Sequence, residues 1–200
     1  ELLTPIAKAW STDVGVEVAS LGVQVHGGMG FIEETGAAQH YRDARIAPIY
    51  EGTNGIQAID LVGRKVAMAD GAVMRDLCAE LALTAESLTE VPDLASVGRR
   101  LAAGIAALER ATDWVLANRG APSLAAATPY LKLAGDVIGA AMLGRQALAA
   151  GDSDDPWLKG KAALARVFAG QVLAQAPGLA DGLMDGADDL EATHASALVS

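Results

Sequence analysis

Apolar residues recur every three or four positions along most of the chain, and nowhere do they alternate with period two for long enough to make a strand. Leu101, Ile105, Leu108, Thr112 and Val115 show the pattern clearly, one apolar stripe along a helix of about 94–118. Aromatic residues are only 4% of the chain, so Ala and Leu, both strong helix formers, carry much of the apolar quota. The predicted fold class is therefore all-α. The spacing predicts helices over 5–25, 35–45, Thr53–Ala69, 72–89, 94–118, 123–150 and 156–175. Thr4 is a possible cap of the first and Thr53 of the third. Ala38, Tyr41 and Ile46 are expected to face inward, as are Ile56, Ile59, Val62 or Gly63, and Val66. "HGGMGF", "APIYEGTNG", "MADG", "VPD", "RGAPS" and "GDSDDPW" are the breaks. The tail after Pro177 is rich in Gly and Asp and reads as loosely ordered. The break near Gly71 suggests two parts, residues 1–70 with Gly-rich junctions and residues 71–200 with conventional loops.

Charge and composition remove several function classes. The net charge is −10 with no basic stripe, which disfavours nucleic acid and anionic membrane surfaces as partners. No apolar run approaches the roughly 20 residues of a membrane span. One cysteine, Cys78, excludes an intrachain disulfide framework and reads as a small core residue. His26, His40 and His194 have no metal-ligand pairing. The acidic tail superficially suggests a calcium loop, but Leu183 and Ala192 stand where ligands belong, so no metal is expected. The chain opens "ELLTPIAKAW", without Met and inside a helical pattern, and is expected to be a fragment or a processed chain.

Two junctions could carry chemistry. In "GVQVHGGMGF" the glycines either end a helix or let a ligand approach the backbone. In "APIYEGTNGIQ" Glu51 is either an exposed acid trimming a helix start or a general base. For the second reading, Gly52 leaves room for a substrate, and Ile46, Ala47, Ile49 and Tyr50 could desolvate the carboxylate. The residues alone leave both readings open.

Taken together, "VQVHGGMGF" and "YRDARIAPIYEGTNGIQ" closely resemble the C-terminal domain of the acyl-CoA dehydrogenases, over about residues 5–68. A Gln-x-x-Gly-Gly-x-Gly-Phe element, an Arg-Asp-Ala helix and a Tyr-Glu-Gly-Thr turn follow in the family's order, and the separation of Gln24 from Glu51 fits. Residues 72–200 look like the extra helical domain of the longer bacterial members, those similar to methylmercaptopropionyl-CoA dehydrogenase. The resemblance implies the helical-bundle end of that fold followed by an additional helical bundle. It implies an FAD-dependent oxidation of acyl-CoA to trans-2-enoyl-CoA, of the kind used in fatty acid β-oxidation, with Glu51 as the base. Tyr50 and Gly52 match substrate-contacting positions, and Thr53, Asn54 and Gly55 a cofactor-contacting turn. Gln24, Val25, His26, Gly27 and Gly28 match a strip that touches FAD across a subunit interface, so a homo-oligomer is expected. An electron-transfer flavoprotein or similar acceptor, and a bacterial cytoplasmic location, follow from the same likeness. Most flavin and substrate contacts in the family come from domains that precede this segment, so the chain alone is expected to be inactive. Alternatives are an acyl-CoA oxidase of the same fold, or a helical module that holds subunits together.

Overall fold

The computed structural model describes residues 1–187, and among them every regular element is a helix. The order is α1 (Leu3–Val25), α2 (Gly28–Phe31), α3 (Ala37–Ala44), α4 (Asn54–Asp60), α5 (Ala72–Glu90), α6 (Ala95–Ala117), α7 (Ala121–Ala125), α8 (Ala127–Ala150), α9 (Pro156–Gln171) and α10 (Ala176–Asp185). Single-turn segments at Glu33–Thr35, Leu61–Lys65, Met68–Gly71, Pro92–Leu94 and Leu173–Gln175 join them. No helix among the described residues is long and apolar enough to cross a membrane. Ala192 and His194 lie outside the described residues.

The helix starts and stops follow local chemistry. The Thr53 hydroxyl accepts from the Ile56 N–H and caps α4, as the sequence predicts. Asp155 caps α9 through the Trp157 N–H, with Pro156 fixing the first turn. Thr4 caps nothing, because α1 already begins at Leu3. The helix predicted over Thr53–Ala69 is segmented. After α4 the chain makes a π turn at Leu61–Lys65, with the Val66 N–H donating to the Leu61 carbonyl at 2.9 Å. Ala58, Leu61, Val62 and Val66 are buried while Ile56 and Ile59 are exposed, because α4 turns the face bearing Ala58 toward α1 and α8. Ala69 (φ 50°) and Asp70 (φ 55°) then take left-handed backbone before Gly71 (φ 86°). The Arg75 guanidinium braces this corner, donating to the Asp70 carbonyl at 3.0 Å and to Asp113 at 2.7 Å.

Two further expectations change. Of α3, only Ala37 is buried; Ala38 is half-buried, and Tyr41 and the following Ile46 are exposed, because α3 packs chiefly along one neighbour, α1. The Gly/Asp-rich tail is helical as far as Asp185, in α10, and its residues 188–200 lie outside the described residues. Ala176, Ala180 and Leu183 form a buried face on α6 and α8, and Arg110 on α6 pairs with Asp181 at 2.9 Å.

α8 is the hub, packed by α1, α4, α5, α6, α9 and α10. Its small residues permit that crowding. Gly144 faces Leu88 of α5, and a Cβ there would come within 2.6 Å of that side chain. Tyr130 is fully buried; its hydroxyl meets Thr112 Oγ1 at 2.8 Å. Thr112 donates onward to the Leu108 carbonyl, so Tyr130 is the donor of that pair. The front of the chain docks through Trp10, whose ring lies against Gly135 and Gly139 of α8. Its Nε1 donates to Asp136 at 2.9 Å, and Lys132 supplies that buried carboxylate with a second partner. Only the first half of α1 is covered this way. Ile6 and Ala9 are buried, whereas Val18, Leu21 and Val25 stand exposed.

A Cβ at Gly135 would sit 2.1 Å from Trp10 Cδ1. Gly135→Ala should therefore displace Trp10, break its bond to Asp136 and destabilise the chain by about 2–4 kcal/mol in urea unfolding. Gly170→Ala, on α9 with open space around its Cβ, should be neutral or stabilise by up to about 1 kcal/mol.

Burial pushes the Cys78 thiol from 9.0 to about 11, with Glu109 adding to the rise, and burial also pushes the Tyr130 phenol upward. Both groups hold their protons in the folded chain at pH values where the unfolded chain has released them. The stability they confer is complete below pH 9.0 and falls as pH rises towards about 11. Urea midpoints measured across that window should drop, and Cys78→Ala should flatten the part that the thiol contributes.

Candidate functional site

The turn that carries Glu51 is assembled by its own backbone first. Ile49 and Tyr50 donate to the Ile46 carbonyl at 3.0 and 3.1 Å, and the Asn54 N–H donates back to the Pro48 carbonyl at 2.9 Å. The loop so closed forces left-handed backbone at two successive residues, Glu51 (φ 55°) and Gly52 (φ 83°). Glycine takes this conformation freely; for Glu51 it costs about 1–2 kcal/mol. Strain of this kind persists only where surrounding contacts over-determine it.

Those contacts come from α1. Lys8 Nζ donates to the Gly52 carbonyl at 2.9 Å and to Asn54 Oδ1 at 2.8 Å. Asn54 Nδ2 points back at the Ala9 carbonyl, Thr12 Oγ1 and Asp13 Oδ1, at 3.0, 2.9 and 2.8 Å. Lys8 Nζ also lies 6.0 Å from the centre of the Tyr50 ring. Lys8, Thr12 and Asp13 were not legible as site residues, because they lie some 40 positions away from their partners and belong to no local motif.

Glu51, Gly52 and Thr53 are exposed. The expectation that Ile46, Ala47, Ile49 and Tyr50 desolvate Glu51 is not met within this chain. Ile46, Ile49 and Tyr50 are each about half exposed themselves. The Glu51 N–H makes no hydrogen bond with another described residue. Gly55 lies in the first turn of α4, beside the Thr53 hydroxyl.

The second cluster closes α1. Gln24, Val25, His26, Gly27 and Gly28 are all exposed. His26 Nδ1 lies 2.8 Å from the Gly22 carbonyl, which can only accept, so the ring proton sits on Nδ1 and Nε2 faces outward. Gly27 (φ 60°, ψ −143°) occupies backbone space that only glycine uses readily. Added Cβ atoms at Gly27 and Gly28 would meet nothing, so the strip offers bare backbone to whatever lies against it. Asn54 is tied to α1 at residues 8–13, whereas this strip is at the other end of the same helix. At 1.5 Å per residue the two are roughly 20 Å apart along α1. The chain brings Glu51, Gly52 and Asn54 together with Lys8, and keeps Gln24–Gly28 away from them. Among the described residues no cluster of three or more His, Cys, Asp or Glu could hold a metal.

Comparison with known proteins identifies the family. The profile "Acyl-CoA dehydrogenase, C-terminal domain" matches residues 1–67, and "Acetyl-CoA dehydrogenase C-terminal like" matches residues 72–194. A 3-methylmercaptopropionyl-CoA dehydrogenase of Ruegeria pomeroyi is 44% identical over 95% of this chain and 34% of its own length. A butyryl-CoA dehydrogenase of Syntrophomonas wolfei is 31% identical over 86% of this chain and 30% of its own length. A short-chain-specific acyl-CoA dehydrogenase of Megasphaera elsdenii is 50% identical over 26% of this chain and 14% of its own length. The chain thus spans about a third or less of the relatives it matches. The chain belongs to the acyl-CoA dehydrogenase family of oxidoreductases, as a C-terminal portion.

Proposed function

We propose that Glu51 is the base that removes the α-proton of an acyl-CoA thioester, in a protein of which this chain is the C-terminal part. The observation that carries the reading is the strained turn. A carboxylate is held in left-handed backbone, its own N–H is unengaged, and Gly52 leaves space beside it. A thioester α-proton is weakly acidic, so the base must be fixed close to it and kept dry. Fixation comes from this chain; enclosure must come from residues beyond it, since Glu51 is exposed here. The Glu51 N–H, which has no partner among the described residues, would donate to the thioester oxygen as negative charge develops there. Tyr50 and Gly52 would flank the substrate.

The residues present fit FAD as a contact strip rather than as an enclosing pocket. Gly27 and Gly28 expose backbone where a side chain would hold a flat or anionic group away, and Gln24, Val25 and His26 continue that edge. When bound, FAD supplies the acceptor for the β-hydride. Thr53, Asn54 and Gly55 would meet it at the other cluster. Because the two clusters lie far apart along α1, we read the strip as serving the site of a second copy, so the protein would be a homo-oligomer. Exposed Val18, Leu21 and Val25 give that contact its apolar surface. Residues 1–70 would carry the chemistry and residues 71–200 the added helical bundle. Electrons would leave for an electron-transfer flavoprotein or similar acceptor in a bacterial cytoplasm.

The test is made on the full-length protein. Glu51→Gln should abolish turnover of 3-methylmercaptopropionyl-CoA or butyryl-CoA by at least about 1,000-fold while flavin absorbance is retained. Near-normal turnover would sink the assignment. The 200-residue chain by itself should be colourless and should not reduce an acceptor dye. Relief of strain gives a separate expectation: Glu51→Asn should stabilise the 200-residue chain by about 0.5–1 kcal/mol in urea unfolding, because Asn tolerates left-handed backbone better.

A further inference from the structure

We infer that Lys8 is a positioning residue for Glu51, and that its ammonium group fixes the direction in which the turn presents the carboxylate. This rests on the reading of Glu51 as the base. The Lys8 side chain crosses from α1 to the turn and spends two of its three N–H donors there, on the Gly52 carbonyl at 2.9 Å and Asn54 Oδ1 at 2.8 Å. The first of these partners is the residue next to Glu51. The second is the residue that closes the loop, through the Asn54 N–H on the Pro48 carbonyl at 2.9 Å. Asn54 is itself locked to α1 by its amide, so the lysine and the asparagine form a closed circuit between helix and turn. α1 is a rigid anchor at this point, with Ile6 and Ala9 in the core on either side of Lys8. Two successive left-handed residues have no regular helix or strand to hold them, and this circuit is what pins the second. Lys8 need touch neither substrate nor cofactor. Its work is to keep the Glu51 backbone in a conformation that a glutamate would otherwise leave.

Two measurements test this. In the 200-residue chain, Lys8→Met should raise the hydrogen-exchange rate of the Asn54 amide by at least about tenfold, while amides in α6 and α8 keep their protection and so report an intact fold. In the full-length protein, the same variant should lower kcat by about 100-fold with butyryl-CoA, with KM and flavin content unchanged. Lys8→Arg, which keeps a charged donor, should recover most of that loss. An unchanged Asn54 exchange rate overturns the proposal. So does an unchanged kcat in Lys8→Met when Glu51→Gln is inactive. If Glu51→Gln remains active, the base assignment has failed instead, and the exchange experiment still decides whether Lys8 holds the turn.

Discussion

Trp10 seated against α8 is the contact on which the rest of the molecule depends. The indole lies flat on a surface that exists only because residues 135 and 139 lack side chains, and Asp136 receives its N–H. A buried carboxylate is tolerable only with partners, and here one comes from α1 and the other from α8 itself. The contact is therefore both steric and polar, and it sets where α1 begins its run over the bundle. Lys8, Thr12 and Asp13 lie on the turns of α1 flanking Trp10, so the same anchor that docks the helix also orients the residues gripping the Glu51 turn.

Much of this was legible in the residues because helices announce themselves by period and by breaks. The bounds of α5, α6 and α9 fall close to the apolar pattern, and the Thr53 cap is where its hydroxyl suggests. The departures have physical causes. Ile56 and Ile59 suit an apolar stripe by type, but α4 turns the face bearing Ala58 to α1 and α8 and leaves both isoleucines exposed. Asp70 is a residue type that tolerates left-handed backbone, but Ala69 is not, and the corner is braced by an arginine on the next helix. The α10 face was hidden because alanines among glycines and aspartates read as a loop until α6 and α8 are there to receive them.

The site divides in the same way. The position of Glu51 and the freedom beside it at Gly52 are local properties, and motif order pointed to them. Its left-handed backbone is not local in this sense, because nothing about a glutamate signals it. Nor was the cross-link from Lys8, which arises when α3 runs back along α1 and brings the chain to the start of that helix again. Solvent around Glu51 is the largest discrepancy. An apolar neighbourhood in sequence does not enclose the acid in space, since Ile46, Ile49 and Tyr50 are themselves about half exposed.

The central place of α8 has a consequence for truncation. A C-terminal domain with its own core can ordinarily be removed without unfolding what precedes it. Here the helix that supports α1 and α4 lies in the C-terminal stretch, and both stretches share one core. Trp10 and the glycines of α8 are matched to each other and would be a liability apart, one an exposed indole and the other a flexible helix. Truncation before α8 would therefore strip the support from the helix that grips the Glu51 turn, so the front of the chain is not separable from the bundle behind it.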